Sequence, residues 1–319
     1  MLVQIILFIV GLALVVFGAD YLVEGASAVA RKAGLSEFII GLTIVGMGTS
    51  APEMVVSFIG AAQGNADIAI GNVVGSNIFN TLLILGITAI LLPMEITREN
   101  RTKDIPMNIL TVIALIVLGM NYTLCRMGTA DGLSRIDGAI LLAMFVAYMF
   151  YSFSSSPKAD ESAETAKPAP TALAVLMVVG GIAALIFGGR LFVNSATSIA
   201  RGLGVSDKFI AITILAGGTS LPELATCVAA AVKKKGQLAL GNIIGSNIFN
   251  VLLILGGSAL INPLSFADIS LIDMGILMVS ALALLTSCYI GKKNSLDRLD
   301  GVLFLLLWAG YMAWLIVNL

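Results

Sequence analysis

Apolar residues run along this chain in long stretches, near residues 2–19, 38–62, 68–93, 105–122, 137–153, 172–200, 208–232, 238–262, 271–290 and 299–318, parted by short polar or charged segments. Roughly 20 mostly apolar residues make one helix that spans a bilayer, so the pattern predicts ten spanning helices. Two of the runs are interrupted from within. GTSAPE, residues 48 to 53, sits inside the second, and GTSLPE, residues 218 to 223, inside the seventh. A proline in a helix removes a backbone donor, and its ring clashes with the carbonyl four residues back, that of Gly48 for Pro52 and of Gly218 for Pro222. Helices 2 and 7 are therefore expected to be interrupted.

Composition strengthens this reading. The 319 residues are 58% hydrophobic and 12% charged, with a mean hydropathy of +1.01, values that belong to an all-α polytopic membrane protein. Its expected surroundings are the lipid bilayer, with no nucleic-acid partner. The apolar N-terminus followed by ASA at 26 to 28 has the outline of a signal peptide. The pattern of residues 18 to 40 returns at 188 to 210, however, and no Lys or Arg precedes the first run, so the first helix is expected to be retained. There is no histidine, which excludes zinc-histidine sites, Ser-His-Asp triads and histidine proton relays. Cys125, Cys227 and Cys288 stand at unrelated spacings and read as packing residues.

The chain repeats itself. Setting Gly71 on Gly241 aligns GNVVGSNIFNTLLILG (71 to 86) with GNIIGSNIFNVLLILG (241 to 256), with differences only at Val73, Val74 and Thr81, and the same offset sets GTSAPE on GTSLPE. RIDG at 135 to 138 and RLDG at 298 to 301 extend the match to the last helix of each half. Five spans per half is an odd number, so the halves enter the membrane from opposite sides and form inverted repeats, an architecture that places substrate near the midplane on interrupted helices. Residues 1–153 are the first five-helix repeat, 154–170 a polar, Pro-rich cytoplasmic linker, and 171–319 the second repeat. Most of the 18 Lys and Arg fall in the loops of one side, leaving Arg126, Arg135, Arg190, Arg201 and Lys208 on the other. By the positive-inside rule both termini lie outside.

An ionisable residue in a span costs roughly 2.5–3.5 kcal/mol on insertion scales. Glu53 and Glu223, placed symmetrically, call for a bound cation as compensation. The available oxygens are those two carboxylates, the hydroxyls of Thr49, Ser50, Thr219, Ser220, Ser76 and Ser246, the amide oxygens of Asn80 and Asn250, and carbonyls freed at Gly46 to Gly48 and Ala216 to Gly218. Unwound backbone at membrane depth is tolerated where it lines a cavity. All of these are hard ligands, suited to a cation such as calcium and not to zinc, copper or iron. Gly71, Gly75, Gly241 and Gly245 read as helix-packing residues, and Asn72 and Asn242 as either packing or site residues. Asp20 and Arg190 occupy equivalent positions, but inversion sends them to opposite faces, so no bridge between them is expected. Glu24 is expected at the interface.

On these paired blocks the sequence resembles the cation/calcium antiporter superfamily, and most closely the prokaryotic sodium/calcium exchangers, over essentially the whole chain. The resemblance implies a non-enzymatic antiporter without cofactor, in the plasma (inner) membrane of a prokaryote and functional as a monomer, that exchanges Na⁺ for Ca²⁺. It implies that Glu53 and Glu223 are the central ligands. Thr49, Ser50, Thr219 and Ser220 supply further oxygens, Ser76, Asn80 and Ser246 complete the site, and helices 1 and 6 slide to switch access. Some relatives carry Asp where this chain has Asn250, which leaves this site at a charge of about −2. A proton-coupled or potassium-dependent cation exchanger is the alternative reading. An intramembrane protease and a passive channel fit the duplicated motifs less well.

Overall fold

The computed structural model describes residues 2–125, 130–154, 170–204, 217–266, 269–290 and 294–318. In chain order its main helices are α1 (Leu2–Ala33), α2 (Glu37–Thr49), α3 (Ala51–Ala62), α4 (Ala66–Leu91), α5 (Asn100–Gly119), α6 (Arg135–Ser154), α7 (Thr171–Gly202), α8 (Leu221–Val232), α9 (Gly236–Ile261), α10 (Leu271–Ser287) and α11 (Arg298–Asn318). Seven of them are long and apolar enough to cross a membrane; α2 and α3 together make one further span bent by 48°, and α8 and α10 are shorter apolar helices. They lie over the ten apolar runs, of which 208–216 is outside the described residues, as is 155–169 of the expected linker. The chain is a mostly helical, polytopic membrane protein.

Helix α1 is longer than its apolar run. It continues past residue 19 for 14 more residues through Asp20, Glu24, Arg31 and Lys32, because charge ends an apolar run without ending a helix. Leu22, Val23, Ala26 and Ala30 keep one face of this extension buried. The helix stops at Gly34, whose φ of 64° is left-handed backbone that glycine adopts without a Cβ clash.

Helices α1 and α7 pack chiefly on each other, antiparallel and at very close range. A Cβ built on Gly11, Gly18 or Gly25 would meet the carbonyl oxygen of Gly188, Gly181 or Ala174 at 2.9, 3.0 and 2.8 Å. Small residues seven apart thus bring the two backbones together over three successive contacts, the usual means of joining helices where lipid removes the hydrophobic driving force. Elsewhere α9 is the centre and α11 the rim: 94% of the apolar window of α9 is buried against 11% for α11. Gly241 and Gly245 of α9 lie against the backbone of Phe38 and Leu42, as packing residues should. The segment that the repeat sets opposite Gly71 and Gly75 is outside the described residues.

Contacts between the halves are reciprocal. Gly86 packs on Gly301 and Gly256 on Gly138. Four two-residue strands, which no apolar pattern announced, pair first half with second: β1 (Met94–Glu95) with β4 (Ser295–Leu296), and β2 (Gly132–Leu133) with β3 (Leu264–Ser265), both antiparallel. Asp20 and Glu24 both turn to Lys233 just past α8, whose Nζ lies 2.6 Å from Asp20 Oδ1 and 2.8 Å from Glu24 Oε1. Asp20 thus pairs with Lys233 and not with Arg190, as inversion predicts.

Candidate cation-binding site

The break between α2 and α3 falls at Ser50 (φ −80°, ψ 7°), two residues ahead of the proline. Pro52 itself sits in the first turn of α3, where a missing N–H leaves no hydrogen bond unmade. Glu53 follows directly, in the same first turn, with its carboxylate at the positive end of the helix dipole. Helix α8 repeats the arrangement: Ser220 (φ −84°, ψ 6°) precedes Leu221, Pro222 and Glu223. In α2 a π-helical turn over Gly41–Val45 leads into this break, and π turns at Phe79–Ile84 and Asn250–Leu255 lie in α4 and α9. Single π turns of this kind gather at functional sites.

A serine before a helix ordinarily accepts an N–H from that helix's own first turn. Neither serine does so here. Ser50 Oγ donates instead to Glu223 Oε1 at 3.0 Å, and Ser220 Oγ to Glu53 Oε1 at 3.3 Å, with Ser76 Oγ 3.2 Å from the Ser220 hydroxyl and able to donate to it. Each break therefore serves the carboxylate of the other repeat. Thr49 and Ser246 also approach Glu223, Thr219 approaches Glu53, and the two carboxylates are close enough to repel each other. Glu53 and Glu223 are 1% and 0% exposed, and no cationic side chain pairs with either among the described residues.

Asparagines form a second layer around these groups. Thr49 Oγ1 donates to Asn242 Oδ1 at 3.1 Å, and Thr219 Oγ1 to Asn72 Oδ1 at 3.4 Å. Asn242 is fixed in turn by Cys227 Sγ, and Asn72 by Ser57 Oγ and the Glu53 carbonyl. Asn72 and Asn242, ambiguous in the sequence, thus hold the threonines of the opposite repeat. Asn80 lies one turn beyond Ser76 on α4, and Asn250 one turn beyond Ser246 on α9. Asn80 Nδ2 donates to Asn247 Oδ1 at 3.2 Å, and Asn250 Nδ2 to Asn77 Oδ1 at 2.9 Å.

Four buried oxygens are left over. Glu53 Oε2, Glu223 Oε2, Asn80 Oδ1 and Asn250 Oδ1 meet no hydrogen-bond donor, although their residues are at most 1% exposed. The Gly46 carbonyl, expected to be free, already accepts the Ser50 N–H at 3.1 Å and the Ser246 hydroxyl at 3.4 Å. The α2 ladder continues to Ser50, past the Gly46 to Gly48 stretch expected to unwind, so that oxygen is still bonded within the helix. Ala216 is outside the described residues.

A cavity of ≈ 190 Å³ reaches this region from one side, between Pro52, Arg190, Asn194, Gly218, Thr219 and Pro222. Gly48, the counterpart of Gly218, is covered instead by the Ile182 side chain. Thr219 is accordingly half-buried, while Thr49, Ser50, Glu53, Ser76, Asn80, Ser220, Glu223, Ser246 and Asn250 are buried.

Comparison with known proteins gives this geometry a family. The sodium/calcium exchanger protein family matches residues 3–154 and 173–317. A protein of Alkalimonas amylolytica named as an antiporter, CaxA, is 41% identical over 98% of both chains. The sodium/calcium exchanger MaX1 of Methanosarcina acetivorans is 34% identical over 99% of this chain and 98% of its own. The fold superposes on the sodium-calcium exchanger NCX_Mj, solved after soaking with 2.5 mM Na⁺ and 0.1 mM Ca²⁺, with a TM-score of 0.83 and 32% identity over 98% of each chain. This chain belongs to the sodium/calcium exchanger family.

Proposed function

We propose that the protein is a sodium/calcium antiporter that expels Ca²⁺ in exchange for Na⁺ by alternating access to one oxygen-lined site near the bilayer midplane. The observation that carries this reading is the set of four unpartnered buried oxygens, two of them carboxylate, contributed equally by the two repeats. A buried polar atom without a partner costs about 1–3 kcal/mol, and four in one place are accounted for by a ligand. The ligand they fit is a hard cation, which takes about six to eight oxygens. The hydroxyls of Ser50, Ser220, Ser76, Ser246, Thr49 and Thr219 stand beside the four and complete such a shell by turning their protons away.

Ca²⁺ neutralises the two carboxylates, and so do two Na⁺. The two kinds of ion therefore compete for one set of oxygens, the condition for exchange. Ten spans in two inverted repeats, with both termini outside, put the cavity beside Arg190 and Asn194 on the outer face and Ile182 over the inner route. The α1–α7 pair, joined closely to itself and more loosely to the rest, is the body that moves.

The test is ⁴⁵Ca²⁺ uptake into proteoliposomes loaded with Na⁺, comparing the wild type with Glu223→Gln. Uptake driven by the outward Na⁺ gradient and lost in the variant is the expected result. Uptake indifferent to Na⁺ but driven by a pH gradient, or dependent on added K⁺, would overturn the coupling.

A further inference from the structure

Asn80 and Asn250 each have two ends of opposite character. The Oδ1 end attracts a cation, and the Nδ2 end, a pair of donors, repels it. Which end faces the site is decided by whatever holds the other, and in each case this is a single asparagine of the opposite repeat. Asn77 Oδ1 takes the amide of Asn250 at 2.9 Å, and Asn247 Oδ1 takes that of Asn80 at 3.2 Å. Those two holders are themselves fixed. Asn77 Nδ2 donates to the Asn247 carbonyl at 3.0 Å, and Asn247 Nδ2 to Thr81 Oγ1 at 2.8 Å. Each NH₂ is drawn to that acceptor, so each holder turns its oxygen, and not its nitrogen, toward the amide it holds. An amide of Asn80 or Asn250 turned the wrong way would set oxygen against oxygen.

We propose that Asn77 and Asn247 are positioning residues for cation binding: they lock the orientation of the Asn250 and Asn80 amides so that an oxygen, and never an NH₂, faces the ion. Neither contributes an atom to the ion itself. Both are about as buried as the ligands they hold, 2% exposed each, and both belong to the GSNIFN blocks that span the two repeats. The inference rests on the cation site proposed above. It adds that this site, which has amides where a carboxylate would supply an oxygen in either orientation, depends on a second layer to keep its polarity.

That last difference supplies the test. An aspartate at position 250 presents an oxygen whichever way it turns, so it has no need of Asn77 for that purpose. Ca²⁺ binding by purified protein is measured calorimetrically without Na⁺ for the wild type, Asn77→Leu, Asn250→Asp and the double variant. Asn77→Leu is expected to weaken Ca²⁺ about 10-fold, which corresponds to about 1.4 kcal/mol, in the wild-type background. In the Asn250→Asp background the same substitution is expected to weaken it less than about 2-fold, a coupling that a double-mutant cycle isolates. Equal losses in both backgrounds would mean that Asn77 acts only through packing, and would overturn the proposal. If Asn77→Leu does not fold, the cycle of Asn247→Leu with Asn80→Asp reads the same coupling from the other repeat. A wild type that binds no Ca²⁺ would instead sink the cation site itself, so the two failures are distinct.

Discussion

Glu223→Gln should move stability and affinity in opposite directions. Glu223 is 0% exposed, shares its surroundings with Glu53, and leaves Oε2 without a donor. In the empty protein the substitution removes one of two mutually repelling charges and replaces it with a neutral group of the same shape. The ion-free variant should therefore unfold at a higher temperature than the wild type. In the loaded protein the same change removes half of the charge that balances Ca²⁺. Breaking a buried ion pair by removing one partner costs about 3–5 kcal/mol, or roughly two to three and a half orders of magnitude in affinity. Attraction scales with ionic charge, so a single Na⁺ should lose about half as much free energy as Ca²⁺. The assay is thermal unfolding in detergent across a Ca²⁺ titration. At a concentration 100 times its dissociation constant, a ligand stabilises by about 2.7 kcal/mol; the wild type should gain this and the variant should gain nothing at the same concentration. An ion-free variant less stable than the wild type, or one whose Ca²⁺ response survives within about 10-fold, would refute the electrostatic reasoning.

Three further predictions come from other parts of the fold. Lys233 ties Asp20 and Glu24 of α1, in the pair proposed to move, to the end of α8; burial opposes its charge, but hydrogen bonds and attraction from the two acids outweigh it and hold its pKa above the ordinary value. The Lys233 side of the tie therefore contributes at neutral pH and is lost as pH rises through that alkaline range. Exposed pairs are worth about 0.2–1 kcal/mol each, so Lys233→Gln should improve apparent Ca²⁺ affinity at the Asp20 face by roughly 2- to 30-fold, an effect that fades at ~1 M salt; sided flux measurements that show no change would remove the latch. Gly18→Ala sets a Cβ 2.9 Å from that of Ala184 and 3.0 Å from the Gly181 carbonyl, and should destabilise by about 1–3 kcal/mol in thermal unfolding, whereas Gly310→Ala, which meets nothing within 4 Å, should not. Asp104 is a buried carboxylate held by Asn100 at 3.3 Å and Tyr148 at 3.4 Å, apart from the site, so Asp104→Asn should leave Ca²⁺ affinity within about 2-fold in the same calorimetric assay that registers Glu53→Gln.

What the sequence disclosed and what it withheld follow from the range over which each signal acts. Apolar runs are local, so nearly every helix was legible, but the end of α1 was not, because its last 14 residues hold their buried face with alanines and valines between charges. The repeat made the site legible at a distance. Once Gly71 is set on Gly241, the carboxylates, hydroxyls and amides come in pairs, and the structure brings Ser50 to Glu223 and Ser220 to Glu53 as such pairs. Direction was not legible. That the serines abandon their own helices for the opposite carboxylate, and that Asn77 and Asn247 turn their oxygens toward Asn250 and Asn80, are properties of side-chain orientation. The charge pattern did carry one unread hint: Asp20 and Glu24, four residues apart on one helical face, needed a cation, and KKK at 233 to 235 was the cluster able to supply it.

On the function proposed above, the two buried carboxylates would make the protein exchange ions and not leak them. With Glu53 and Glu223 ionised and no cation beside them, closing the site on both sides would bury two charges that repel, at an effective cost of several kcal/mol per ion. One Ca²⁺ or two Na⁺ would remove that cost, so an α1–α7 pair that moves as proposed would cross readily with a load and slowly without one. Each return of the carrier must then bring an ion back, which is obligatory exchange. As the proposed neutral ligands, Asn80 and Asn250 would add oxygen without adding charge to this balance. A third Na⁺ coordinated by them would leave the site at about +1, and the sodium-loaded step would then be the one that feels the membrane potential, at about 2.3 kcal/mol per 100 mV for each charge moved across the full field. Changing Asn250 to Asp would shift that charge to the calcium-loaded step. With three Na⁺ per cycle, the choice of amide over acid at that position would decide which half of the cycle the voltage drives.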